Sequence, residues 1–266
     1  MKKIVALLTS LTFAINVQAL PIGNPLEASL ITEGLFRESH QSSSRLSWLD
    51  TWSLRMGFYG DYIYNHYMVI IDAHQQPHSV HKTQILTNAA YFALNLKNYF
   101  DLFATLGTSN IEILGGYASL TILSNTSFSW SLGLRKTLWE NRDFGLGIEA
   151  QYASTKPQSH QPIGSTTLLY ADNNYLDYKE WQIGIGGAYR IDMTFGTALI
   201  PYLGLKSGQT WIFPHYIGYH LKNLSTGWNF GYAVGITLLG SHRGTLTAEV
   251  AFLNEKALYL NGQCRF

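Results

Sequence analysis

The chain has little of three things that most folded proteins use freely: cysteine, charge and long apolar runs. Its 266 residues include one cysteine, Cys264. A single thiol allows no intramolecular disulfide and no thiolate-rich zinc cluster, which excludes a small disulfide-stapled secreted domain. Charged residues make up 13%, about half of the roughly 25% usual in a soluble domain. An excess of either sign is also missing, with 18 Lys+Arg against 17 Asp+Glu. A nucleic-acid partner would want a basic surface, so none is expected. Beyond residue 19 no apolar run approaches the ~20 residues that a spanning helix needs.

What is present begins with a leader. Lys2 and Lys3 precede a mainly apolar stretch from Ile4 to Val17. Val17-Gln18-Ala19 then places small residues at a cleavage point after Ala19. Thr9, Ser10, Thr12 and Asn16 interrupt the stretch, which is too short for a spanning helix. Residues 1–19 are therefore expected to be a cleaved signal peptide, with a mature chain starting at Leu20. Residues 20–51 read as an irregular segment with one short helix, from Leu20-Pro-Ile-Gly-Asn-Pro25 to Gln41-Ser-Ser-Ser44. An exported, charge-poor chain without membrane helices points to a closed barrel. Only helices and closed barrels satisfy every backbone polar group inside lipid.

Residues 52–266 alternate with period two, the signature of strands with two different faces. Trp52, Leu54, Met56, Phe58 and Tyr62 oppose Ser53, Arg55, Gly57, Tyr59 and Asp61. Phe128, Trp130, Leu132 and Leu134 oppose Ser129, Ser131, Gly133 and Arg135. Trp181, Ile183, Ile185, Tyr189 and Ile191 oppose Glu180, Gln182, Gly184, Gly186 and Arg190. At the C-terminus Leu258, Leu260, Cys264 and Phe266 oppose Tyr259, Asn261, Gln263 and Arg265. The terminal Phe266 is read as the membrane assembly signal. Short links near 97–98, 140–143, 192–197 and 241–244 alternate with longer ones at about 72–83, 109–125, 155–176 and 214–226. That is the rhythm of periplasmic turns and extracellular loops. The predicted fold is all-β: an antiparallel up-and-down transmembrane barrel of about ten strands. Twelve is the competing count if 111–122 and 163–171 add staves. A soluble sandwich would have to bury the Arg, Glu, Asn and Gln of the second face in a dry core, which is costly.

Several blocks carry a family resemblance. They are Leu20-Pro-Ile-Gly-Asn-Pro25, Ser53-Leu-Arg-Met-Gly-Phe-Tyr-Gly-Asp-Tyr62, Thr87-Asn-Ala-Ala-Tyr-Phe-Ala-Leu-Asn95 and Phe100-Asp-Leu-Phe-Ala-Thr-Leu-Gly107. Phe128 to Arg135, Leu138-Trp-Glu140, Gln151 to Pro157, Tyr178 to Gln182 and the final Arg265-Phe266 continue the series in order. Together they resemble the chlamydial major outer membrane porin family. The resemblance implies a surface-exposed, homotrimeric, general-diffusion porin of the outer membrane. The chain departs from that family in being shorter. It also carries Leu49 to Trp52, Ala104 and Asn141 to Asp143 where the family tends to have cysteines.

The inward face supplies the candidate pore-lining residues: Arg55, Asp61, Asp101, Arg135, Glu149, Glu180, Arg190, Lys206, Glu249 and Arg265. Opposed acidic and basic walls give a transverse field and weak ion selectivity. The same residues would serve equally as ion pairs filling a closed barrel, as in barrels near eight strands. His66, His74, His78 and His81 cluster around the first long link, without the spacing of a defined metal site. His160, His215 and His220 with Asp172 and Asp177 are the only rim groups of hydrolytic type, and no Gly-x-Ser-x-Gly or His-Glu-x-x-His motif accompanies them. The expected function is a porin for passive diffusion of small hydrophilic solutes and ions across outer-membrane lipid, with no catalysis and no cofactor. The alternative is a non-conducting structural or adhesin-like surface barrel.

Overall fold

A computed structural model of the chain describes residues 20–31, 52–70, 78–97, 99–117, 120–160, 162–163, 167–168, 174–216, 221–227, 229–240 and 243–266. The expected signal peptide, the Gln41–Ser44 tract, His74, Asp172 and His220 lie outside the described residues.

Ten long strands form one closed antiparallel sheet. They are β1 (Trp52–His66), β2 (Lys82–Leu96), β3 (Phe100–Tyr117), β4 (Ser127–Asn141) and β5 (Phe144–Thr155). The circle continues with β6 (Tyr175–Tyr189), β7 (Ala198–His215), β8 (Phe230–Gly240), β9 (Gly244–Phe252) and β10 (Glu255–Arg265). Each strand pairs with the next in sequence, and β10 pairs back onto β1 with Arg55 opposite Arg265 and Asp61 opposite Tyr259. Closure removes every long exposed edge, the condition for strands in lipid.

Among the described residues, 111–122 and 163–171 add no staves. β3 runs on to Tyr117 and pairs with a short strand, Leu120–Ser124. Pro162–Ile163 pairs only with Thr167–Leu168. Met68–Ile70 and Leu224–Thr226 likewise extend the wall at the same end. The ten-strand count therefore stands over twelve. The links at this end are long, except that β9 and β10 are joined by Leu253 and Asn254 alone, with Leu253 at φ 81°.

Side-chain parity follows the two solvents. Outward residues are exposed, among them Phe128 at 62%, Leu203 at 55% and Ile183 at 53%. Their inward neighbours Ser129, Tyr202 and Gln182 are buried. Exposed aromatics gather in two bands. Trp52, Tyr99, Trp139, Phe144, Tyr189 and Phe266 stand beside the short turns, and Tyr64, Phe128, Trp130, Phe230 and Phe252 stand toward the long links. From Phe128 to Trp139 is about 36 Å along the strand at ~3.3 Å per residue. A ~40° tilt makes that about 28 Å across a membrane, close to the height of the apolar band of outer-membrane barrels. Ring bodies with polar edges prefer the two interfaces, which accounts for the girdles.

The inside is filled differently at its two ends. Toward the long links an aliphatic cluster brings together Ile63, Ile85, Ile111, Ile113, Ile122 and Ile212 with Met68 and Leu176. Toward the short turns Leu26 and Leu30, from residues 20–31, pack on Ala188, Ala198, Ile200, Tyr202 and Leu239 of the wall. A barrel of about eight strands is just filled by its own side chains. Ten strands leave room for one more piece of chain, and residues 20–31 occupy it.

Candidate functional site

The site is the lumen between those two clusters. Residues 20–31 run through it, ending in a single helical turn, α1 (Glu27–Leu30). Asn24 starts the turn, its Oδ1 accepting from Leu26 N at 2.9 Å. The last carbonyls of a helix have no partner within it. Here the wall supplies them. Arg55 donates from Nη1 to Glu27 O (2.7 Å) and from Nη2 to Ala28 O (2.8 Å). Asn95 Nδ2 also donates to Ala28 O at 2.9 Å, and Arg265 Nη1 to Ile31 O at 3.0 Å. Arg55 and Arg265 face each other in the β1–β10 register, which would be a repulsive cross-strand pair on its own. The carbonyls between them, with Asp101 at 3.2 Å from Arg55, remove that penalty.

Arg135 is the second anchor. Its neighbour in register on β5, Glu149, holds it at 2.5 Å, and Glu27 of α1 closes on the same guanidinium. Gln263 donates to the other oxygen of Glu27 at 2.5 Å. The guanidinium also stands 5.2 Å over the Phe103 ring. Gly23 passes so close, at φ 67°, that a Cβ there would strike Arg135.

The remaining anchors grip the backbone before α1. Glu249 accepts from Ile22 N (2.9 Å), Gly23 N (2.8 Å) and the Tyr202 hydroxyl (2.7 Å). Lys206 Nζ donates to Leu20 O at 2.7 Å and pairs with Glu255. Gln182 donates to Pro21 O. Glu255 accepts further from Tyr259 at 2.5 Å, and Glu180 accepts from Tyr178. Breaking one partner out of such a buried pair costs about 3–5 kcal/mol, so the network locks the segment to the wall.

Nine of the ten candidate pore-lining residues point inward and are buried: Arg55, Asp61, Asp101, Arg135, Glu149, Glu180, Lys206, Glu249 and Arg265. They do not face an open channel among the described residues. Apart from Asp61, their partners are one another, residues 20–31, and wall residues such as Tyr178, Tyr202 and Glu255. Among the described residues, voids of about 20 Å³ and about 30 Å³ lie beside Arg135 and Asp61. Arg190 is the exception. β6 ends at Tyr189, and Arg190 lies at the rim, its Nε 2.6 Å from the exposed Asp192. Alternation was extended one residue past the strand.

His66 belongs to the wall rather than to the first long link. It ends β1 and is buried, with Nδ1 3.6 Å from Glu255. His215 ends β7 and stacks on Tyr175 with centroids 4.4 Å apart. Asp177 is engaged at Oδ2 by Lys179 at 2.9 Å and Lys156 at 3.7 Å. The candidate pore-lining set leaves out Glu27, Asn95, Glu255, Gln263 and the inward tyrosines. Glu255 and Gln263 share the inward parity of Arg265 and were findable. Glu27 and its segment carry no periodicity to mark them.

The Chlamydia major outer membrane protein family model matches residues 1–79, 69–124 and 117–167, more than half of the chain. The Major outer membrane porin of Chlamydia pneumoniae is 27% identical over 394 aligned positions that take in all of both chains. That of Chlamydia psittaci is 25% identical, over 95% of this chain and 96% of that one. With 266 residues spread over 394 positions, this chain lacks much sequence that its relative has. Among solved structures, the β domain of the Bordetella autotransporter BrkA superposes with a TM-score of 0.44 at 12% identity, over 82% of this chain and 99% of that one. The Escherichia coli outer membrane protease OmpT gives 0.42 at 11%, over 82% and 97%. A ten-stranded closed barrel with a lipid-facing surface, matched along its N-terminal 167 residues, establishes that this outer-membrane chain belongs to the Chlamydia major outer membrane protein family.

Proposed function

We propose that the protein is an outer-membrane porin that passes small hydrophilic solutes and ions, and that residues 20–31 set its permeability from inside. The observation that carries this is the wall itself. A charged, hydrogen-bonding inner face rings the barrel at the level of Arg55, Arg135, Glu149 and Glu249. Ion pairs are a poor way to fill a static interior compared with apolar packing. A wall that can be solvated when the segment leaves is what a channel requires. The relatives' name agrees with this reading. Nothing in it needs a catalytic group or a cofactor.

One observation favours the second reading, a non-conducting structural or adhesin-like barrel. Residues 20–31 and the isoleucine cluster close both halves of the lumen. Planar-bilayer recording separates the two. The wild type should show small, infrequent openings, and deletion of residues 20–31 should raise conductance through Arg55 and Arg135. A folded, heat-modifiable deletion protein that stays silent even with Ile113→Ser added would end the porin reading. The long links should face outward, so labels at Lys156 should react on intact cells and labels at Asn141 should not. Homotrimer formation, implied by the family, is tested by crosslinking in native membranes.

A further inference from the structure

Among the described residues, the lumen holds more buried negative than positive charge. Glu27, Asp61, Asp101, Glu149, Glu180, Glu249 and Glu255 are all buried there, against Arg55, Arg135, Lys206 and Arg265. Most of the carboxylates have been placed with partners above. Asp61 has not. It is 4% exposed, and its Oδ1 has no hydrogen-bond partner among the described residues. Among the described residues, the charged groups that act on it most strongly include Glu255, Glu180 and Glu249, with Lys206 as a cation. An isolated carboxylate in such a place is expensive.

Leu20 lines the same void as Asp61, together with Tyr59, Tyr178 and Thr87. It is 4% exposed, and its carbonyl is fixed by Lys206 Nζ at 2.7 Å. The next amides along, Ile22 N and Gly23 N, are fixed by Glu249. The start of the segment is therefore held in one place and direction, deep inside the barrel.

We propose that processing after Ala19 completes the lumen: the α-ammonium of Leu20 becomes the counter-charge of Asp61. Hydrolysis of the Ala19–Leu20 bond consumes one water, leaves a carboxylate on Ala19, and frees an amine on Leu20 that takes up a proton. The unprocessed chain offers one neutral amide N–H at this point. The processed chain offers three donors and a full positive charge, where the lumen is short of both. The void of about 30 Å³ leaves room for the charged group and one bridging water. Removal of the leader thus serves assembly as well as export, because only the trimmed end can seat residues 20–31 with its charge matched. The proposal rests on residues 1–19 being a cleaved leader. It is independent of whether the barrel conducts.

The test uses the full chain exported with its own leader, its mature N-terminus read by mass spectrometry. A variant with Gly-Ser inserted between Ala19 and Leu20 keeps an ammonium but moves it out of the void. This variant, Asp61→Asn and the two combined form a cycle, read as the unfolding rate in detergent from heat-modifiable gel mobility. Each single change should speed unfolding about tenfold or more, as expected for a lost charged hydrogen bond, and the combination should be no worse than either alone. Independent, multiplying effects would overturn the pairing. A second readout does not depend on Asp61→Asn folding. In the folded wild type the α-amine should resist an amine-reactive label, and in the inserted variant it should react. Equal labelling of both, or a mature end other than Leu20, would also overturn it.

Discussion

The two ends of the lumen are closed by different chemistry. Toward the long links, isoleucines of the wall meet across the interior, joined by Ile22 of residues 20–31. Toward the short turns, charged wall residues close on a separate piece of chain, with Glu27 between Arg135 and Gln263 and the α1 carbonyls on Arg55. Apolar filling needs only volume, and any arrangement of isoleucines of the right size supplies it. Charged filling needs partners at fixed positions and so requires residues 20–31. Without that segment the charged end would fill with water, whereas the apolar end would resist wetting as a hydrophobic gate. Two barriers of different kinds therefore stand in series along one axis.

The sharpest way to break this comparison is to reverse a charge at the polar end. Arg135→Glu sets a third carboxylate beside Glu149 and Glu27 and should cost about 3–5 kcal/mol. The measure is the midpoint of urea unfolding in detergent micelles. Adding Glu149→Arg should recover part of the loss by restoring one pair. No recovery would mean that the register pairing of β4 and β5 matters less than the seating of Glu27.

The next effect sets the outside against the inside. Ile148, 39% exposed on the outer face, replaced by arginine should cost roughly 2–4 kcal/mol near the membrane midplane. The inward Gln151→Arg is the comparison, and it should cost less in lipid vesicles and no less in a soluble reference. Gly235 is unsuitable as a mild inward control, contrary to the simple alternation argument. A side chain there would run into the ring of Tyr202.

The smallest effects compare the ends directly. Ile113→Val in the aliphatic cluster removes one methyl group and should cost about 0.5–1.5 kcal/mol. Thr237→Val breaks the 2.8 Å hydroxyl pair with Thr247 and should cost about 0.5–1.5 kcal/mol. Conductance is the distinguishing readout. Exchanging Ile113 for serine should ease wetting of the upper barrier and raise channel openings in the protein lacking residues 20–31. Thr237→Val should leave conductance unchanged. Equal conductance responses would mean that the two ends do not act as separate barriers.

The face of each strand was legible because lipid and lumen impose opposite chemistry on alternate residues, a local rule with period two. Phe128 to Arg135 states it plainly. Arg190 escaped because a strand end is not a change of pattern. β6 ends at Tyr189, with Arg190 N donating to Asp143 O, 2.5 Å away in the neighbouring turn, and Ile191–Asp192 pairing with β7 at the rim. The residues of the charged network were mostly visible one by one, but their partners were not. Glu27 reaches Arg135 across 108 positions, and Ile22 reaches Glu249 across 227.

The amino-acid order by itself determined the class of this protein: strands, their two faces, and a closed surface suited to lipid. Those are set by neighbours two residues apart. Whether the inward charges border water or one another was decided only in three dimensions. It depended on the width of a ten-stranded barrel, on the space its own side chains leave unfilled, and on a distant segment whose backbone carries the groups that fit there.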